Sequence, residues 1–207
     1  MFDFIFKGGP VMIPLILGSI LGLAIIIEKL IVLNRIKMDA EGFVQDIIRF
    51  IRRGDFNAAL NLCYQNSQYP LPRIFKVGIE KRNLPRYDIE KLLERLGNKE
   101  IQELEKRLGG LISIIGISPL LGFLGTITGL IRAFMAWEKA GSNITVNALA
   151  SGIYQAMITT AAGLSIAVPY YLIYNYLVSR IKYISYELTD YSLQLIEVLN
   201  EPKKESR

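Results

Sequence analysis

The stretch PLLGFLGTITGL, Pro119 to Leu130, carries no charge and lies within an apolar run, yet it holds three glycines and two threonines. Placed on an α-helix, Ser118, Gly122, Gly125, Thr126, Gly129 and Ala133 recur at spacings of four, three, one, three and four. They share one face, and Leu121, Phe123, Leu124, Ile127 and Leu130 fill the rest. One side of such a helix is smooth and weakly polar, and the other is oily.

Composition supplies the setting for that helix. Of 207 residues, 51% are apolar and only 21% charged, with a mean hydropathy of +0.31, which places the chain in the membrane class. Val11 to Ile27 is free of charge and continues past Glu28 and Lys29 to Leu33, against the roughly 20 residues that cross a bilayer. A second candidate span runs from about Leu108 to Ile131 and a third from about Ile144 to Val178, neither with Asp, Glu, Lys, Arg or His. Tyr170, Tyr171, Tyr174 and Tyr176 read as an interfacial belt near the end of the third. The first apolar run exceeds the core of a signal peptide and no small-residue cleavage site follows it, so it reads as a retained span.

Basic residues set the orientation. The segment Asn34 to Arg107 holds 15 of the 24 Lys and Arg and the stretch after Val178 holds five more, whereas the N-terminus has only Lys7 and the link between spans two and three only Arg132 and Lys139. The positive-inside rule puts the long loop and the tail in the cytoplasm and the N-terminus outside. The net charge of +5 is then a topology signal and a match to anionic lipid, with no nucleic-acid partner implied.

The polar part reads as helical. Ile89, Leu92, Leu93, Leu96, Ile101, Leu104, Leu108 and Leu111 recur at helical spacing and predict one long helix entering the membrane as span two. Ile181, Ile184, Leu188, Tyr191 and Leu195 keep the same spacing after span three, so that helix also projects as an amphipathic rod. Between Phe43 and Tyr87, shorter helices are separated at Gly54 and at Tyr69-Pro70-Leu71-Pro72. Glu28 and Lys29 read as snorkelling at the inner edge of span one, with pairing to another helix the alternative, and Arg132 and Trp137 as anchors at the outer interface.

Enzymatic chemistry finds little to use. There is no histidine, and the one cysteine, Cys63, has no partner for a disulfide or a metal site and reads as a small core residue. No Lys follows the glycines and no strand precedes them, so a nucleotide site is not indicated. No catalytic residue, cofactor or metal is expected.

Span three repeats the small strip. Gly152, Ala156, Thr159, Thr160, Gly163 and Ala167 share a face, joined by Gln155. Two readings stand beside each other here. Small residues let helices pack closely in lipid, and two such strips with Thr126, Thr159, Thr160 and Gln155 also offer hydrogen-bonding groups to water or an ion.

Taken in order, GGPVMIPLILGSILGLAIIIEKL (8–30), PLLGFLGTITGLIRAF (119–134) and SGIYQAMITTAAGLSIAVPYYLIYN (151–175) resemble the three membrane segments of the ExbB/TolQ family of proton-channel subunits, and more distantly the MotA flagellar stator subunits. The resemblance implies an all-α membrane protein with three transmembrane helices, the second and third extended into a helical cytoplasmic lobe. Its expected parts are a periplasmic N-terminus (1–10), transmembrane helix one (11–33), a cytoplasmic helical domain (34–107) and transmembrane helix two (108–134). A periplasmic link (135–146), transmembrane helix three (147–178) and a cytoplasmic helix and tail (179–207) follow.

The resemblance further implies a homo-oligomer, pentameric in the family, in the bacterial inner membrane, whose second and third helices ring a pore. Inside would sit a single-span partner of the ExbD/TolR type, with a TonB/TolA-type protein engaged indirectly and proton flow driving work at the outer membrane. Thr126 and Thr160 stand where the family has its pore-facing threonines. Pro119 and Pro169 match its prolines and are expected to loosen their helices, while Gly122, Gly125, Gly129, Ala156 and Gly163 form the packing or pore face.

Many members carry a glutamate where this chain has Gln155, which hydrogen-bonds but does not titrate. A titrating group in such a pore would therefore come from a partner. A sodium-driven version of the same machine and a non-conducting membrane scaffold are the rival readings, and a single-chain transporter is disfavoured because the three spans show no internal repeat.

Overall fold

The computed structural model describes residues 7–140 and 146–201, so the expected outer link lies partly outside the described residues, as do 1–6 and 202–207. The described elements are helices: α1 (Met12–Arg35), α2 (Ala40–Arg52), α3 (Phe56–Gln65), α4 (Pro70–Glu80), α5 (Arg86–Glu105), α6 (Leu108–Ala140) and α7 (Val146–Asn200). No strand occurs among the described residues, and three helical stretches, within Met12–Arg35, Arg86–Lys139 and Ala150–Asn200, are long and apolar enough to cross a membrane. The chain divides into two compact units, Met1–Glu28 with Arg107–Leu177, and Lys29–Lys106 with Val178–Arg207.

In the first unit the apolar spans turn their largest side chains outward. Leu17, Leu21, Leu120, Phe123 and Leu172 are all more than half exposed. Large side chains are buried at Met12, Leu15 and Ile26 on α1 and at Leu108, Leu111 and Ile115 at the start of α6, and from Ser118 onward the buried positions of α6 are small: Ser118, Gly122, Gly125, Gly129 and Ala133. A water-soluble bundle shows the reverse pattern; lipid is as apolar as Leu and supplies no hydrophobic drive to bury it.

The single long helix expected through Leu104 and Leu108 is broken. Helix α5 ends at Glu105, Lys106 leaves helical geometry, and Arg107 takes a φ of 69°, uncommon for a residue with a side chain, before α6 starts at Leu108. Gly109-Gly110 lower the helix propensity of the first turn of α6, and at the break the Arg107 guanidinium forms an ion pair with Glu28. The snorkelling reading of Glu28 gives way here to the alternative, pairing to another helix.

The second unit is built like a soluble protein. Phe43, Val44, Ile47 and Ile51 of α2, Ala59 and Cys63 of α3, Leu71, Ile74, Phe75 and Ile79 of α4, Ile89 and Leu93 of α5, and Leu188, Leu195 and Ile196 of α7 form one buried cluster. The expected amphipathic stripe of α7 is present, with Ile181, Leu188 and Leu195 buried and Ile184 and Tyr191 half-buried. Local signals set the helix starts. Asp39 and Asp55 cap α2 and α3 by accepting from Gly42 N–H (3.1 Å) and Ala58 N–H (3.0 Å). Gly54, at φ 76°, turns the chain between them. Pro70 opens α4 where its missing N–H costs nothing, so the proline pair begins a helix and the separation falls on Asn66–Tyr69 just before it.

Leu195 is fully buried and also presses on Gly78. Leu195→Ala is expected to lower the unfolding free energy of the lobe by about 2–5 kcal/mol, read as an earlier thermal transition in detergent. Burial raises the Cys63 thiol from the usual 9.0 to about 12. At pH 8 its alkylation is expected to run about 1,000-fold slower in the folded protein than after denaturation, and the stability that comes from burying the neutral thiol declines as pH rises from 9 toward 12.

Candidate functional site

The two small strips singled out in the sequence lie against each other. A Cβ on Gly122 would stand 3.0 Å from the Thr159 carbonyl oxygen, and one on Gly129 would stand 2.7 Å from the Gly152 carbonyl oxygen. One on Gly163 would stand 2.5 Å from the Ser118 carbonyl oxygen, and one on Gly125 would overlap the Thr159 side chain. Helices α6 and α7 thus meet backbone to backbone over four turns, an approach that any side chain at these positions blocks.

The hydroxyls lie along the same seam. Thr126 Oγ1 and Thr160 Oγ1 are hydrogen-bonded to each other across the two helices, with the Ala156 carbonyl 3.2 Å from Thr126 Oγ1 and the Gly122 carbonyl 3.3 Å from Thr160 Oγ1. Both threonines are half-buried. Thr159 is fully buried, and its hydroxyl reaches the carbonyls of Gln155 and Ala156 on its own helix, each at 3.0 Å. The hydroxyl pair is therefore the part of the predicted set that retains partial access.

Gln155 and Arg132 pair near the C-terminal end of α6. Arg132 Nη1 donates to Gln155 Oε1 at 3.1 Å, while Gln155 Nε2 is buried without a hydrogen-bond partner among the described residues. Arg132 is therefore more than an interfacial anchor: it holds a neutral amide on the facing helix. Neither spacing nor composition flagged this pair, because the two residues lie 23 positions apart on different helices.

Helix α1 joins the unit through Tyr170. Its hydroxyl donates to the Ser19 carbonyl at 2.7 Å, with Ser19 Oγ 3.2 Å away, and its ring fills the space that a Cβ on Gly22 would occupy. The expected tyrosine belt is accordingly divided: Tyr170 is buried and ties helices together, whereas Tyr171 and Tyr176 are exposed. The only sequence signal for this tie was the small polar Gly18-Ser19 pair inside an oily run. Pro119 and Pro169 both lie inside continuous helices, where each removes one backbone donor. Among the described residues no cluster of acidic, Cys or His side chains is placed to hold a metal.

Two glycines separate the packing role from simple helix propensity. Gly129→Ala forces a methyl into the α7 backbone and is expected to destabilise the protein by about 1–3 kcal/mol. Gly116→Ala meets nothing within 4 Å and is expected to be neutral or stabilising by up to about 1 kcal/mol. Thermal unfolding of both variants in the same detergent checks the contrast.

Comparison with known proteins covers this seam. Residues 66–190 match the family model of the MotA/TolQ/ExbB proton channel family. The chain is 34% identical over 171 residues to an ExbB-like biopolymer transport protein of Synechocystis sp., covering 81% of this chain and 80% of the relative. It is 35% identical over 103 residues to the Tol-Pal system protein TolQ of Haemophilus influenzae, covering 50% of this chain and 45% of that one. A shorter match, 57% identical over 60 residues, relates it to the biopolymer transport protein exbB1 of Vibrio cholerae, over 28% of this chain and 26% of the relative. With its three membrane-crossing helical stretches and its paired small-residue strips, the chain belongs to the MotA/TolQ/ExbB proton channel family of inner-membrane proteins.

Proposed function

We propose that this chain is the ring-forming subunit of a proton-driven motor that energises transport or maintenance at the outer membrane together with an ExbD/TolR-type single-span partner. The observation that carries the reading is the half-buried Thr126–Thr160 hydroxyl pair on the α6–α7 seam, in the part of the chain that matches the proton channel family. The ring is a homo-oligomer, pentameric as in the family, with α6 and α7 around the pore, and it acts on a TonB/TolA-type protein indirectly. The N-terminus (1–10) and the link (135–146) face the periplasm. The segment 34–107 and the residues after 178 face the cytoplasm, a reading that the distribution of Lys and Arg supports.

The chemistry follows from what the two helices lack. Between Leu108 and Ile131 and between Ile144 and Val178 there is no Asp, Glu, Lys, Arg or His. Threonine hydroxyls and carbonyl oxygens pass a proton along or solvate a cation, but they do not store charge, so the group that gains and loses the proton is a carboxyl on the partner's span. A charge held in the membrane costs about 2.5–3.5 kcal/mol, and one charge crossing 100 mV releases about 2.3 kcal/mol. The two are of one size, so a proton that crosses under an ordinary membrane potential releases about what it costs to recharge the carboxyl once in each cycle. Gln155, an amide fixed by Arg132, takes no part in titration.

Close packing of the strips also suits a non-conducting scaffold, and threonine oxygens also suit sodium, so the test separates all three. The protein with and without its single-span partner is reconstituted in liposomes, and proton and sodium uptake are recorded under an imposed potential. Proton flux is expected only with the partner present, reduced tenfold or more by Thr160→Ala. Uptake of sodium in place of protons identifies the sodium-driven version, and no flux of either ion from an assembled complex identifies the scaffold.

A further inference from the structure

We propose that the second unit carries a binding site for one anionic phospholipid, in a cavity between the end of α1, the start of α4 and the first turns of α7 that follow span three. The cavity measures about 360 Å³, within the size range of small-ligand sites. Its floor is apolar, from Leu33, Ile36, Leu71, Ile184 and Leu188, and Lys37 and Arg180 carry positive charge beside it.

Lys37 and Arg180 outnumber the one carboxylate of the lining, Glu187, and leave the cavity net positive. Neither Lys37 nor Arg180 forms an ion pair among the described residues. The one carboxylate in the lining, Glu187, forms no ion pair among the described residues, and the Arg180 guanidinium lies over the ring of Tyr183 at 5.4 Å. Two cations beside an oily cleft match a phosphate that carries an acyl chain better than they match a soluble anion, which leaves the apolar floor uncovered, or an apolar peptide, which leaves the cations unpaired.

Position along the chain selects the lipid. Leu33 is the last residue of the first apolar run, and Lys37 follows it by four residues. Arg180 is the first charged residue after the third run. Both cations therefore fall where the lipid phosphates of one leaflet lie, and each near-surface cation contributes about a fivefold gain in affinity for anionic headgroups. The site is independent of ion conduction: its occupant is a phosphate diester with an acyl tail, held by residues outside the α6–α7 seam.

The test uses the full-length protein, delipidated in maltoside detergent, with phosphatidylglycerol, phosphatidylcholine or inorganic phosphate added. Native mass spectrometry and thermal unfolding are the readouts. Phosphatidylglycerol is expected to give a retained one-lipid adduct and a higher unfolding temperature, and the other two are not. The double variant Lys37→Gln/Arg180→Gln is expected to bind phosphatidylglycerol about thirtyfold more weakly, and Arg95→Gln/Lys99→Gln, with the same loss of charge elsewhere on the lobe, is expected to bind as the parent does. Ala40→Phe fills the cavity while keeping both charges, and its loss of the adduct decides the matter if the double variant does not fold. Equal stabilisation by phosphatidylcholine, an equal effect of inorganic phosphate, or parental binding by the folded double variant or by Ala40→Phe overturns the assignment. A proton-flux defect with lipid binding intact leaves this site standing and counts against the motor reading alone.

Discussion

Helices in lipid attract one another only through what they touch. Without hydrophobic drive, contact energy depends on how near two backbones come, and nearness depends on leaving side chains out. Gly122, Gly125 and Gly129 of α6 and Gly152 and Gly163 of α7 satisfy that constraint along one seam, and the other features of the first unit follow from it. Because the backbones are close, the Thr126 and Thr160 hydroxyls reach each other and the opposite carbonyls. Arg132 reaches Gln155 for the same reason. Helix α1 is held differently, by one tyrosine that fills the place of a missing Cβ and bonds to a serine.

The second unit obeys the opposite rule. Phe43, Ile47, Phe75, Ile79, Leu93 and Leu195 are buried together, and charged residues such as Arg52, Glu201, Arg73 and Glu100 lie outside in ion pairs. Exposed pairs of this kind contribute little each, so the core carries the stability. Helix α7 serves both regimes on one continuous backbone: glycine and threonine face its neighbour as far as Gly163, and leucine and isoleucine do so from Leu177 onward.

Much of this was legible in the sequence because it is periodic. Charge-free runs gave the spans, small-residue spacing gave the seam, and leucine spacing gave the amphipathic half of α7. The features that escaped are pairings between residues far apart in the chain. Arg132 with Gln155, Glu28 with Arg107 and Tyr170 with Ser19 each depend on which helices become neighbours, and no local pattern encodes that. The helix break at Lys106–Arg107 escaped for a related reason, since the leucine spacing runs through it undisturbed while Arg107 is held by a residue 79 positions away. Of the candidate site, residue types and faces were readable. The division of labour among the hydroxyls, with Thr159 turned onto its own helix and Thr126 joined to Thr160, was not.

The glycine seam also fixes where the first unit is stiff. Turning α6 about its axis by one residue, about 100°, would bring Phe123 or Leu130 to positions where carbonyl oxygens now stand within 3 Å of the place a methyl would take. Sliding by a fraction of a turn meets the same obstruction. The two helices therefore work as one girder: a force applied to either is passed to the other undiminished. Relative movement is left to the outward surfaces of Leu120, Phe123, Leu124 and Ile127, where oily side chains can exchange one set of neighbours for another at little cost.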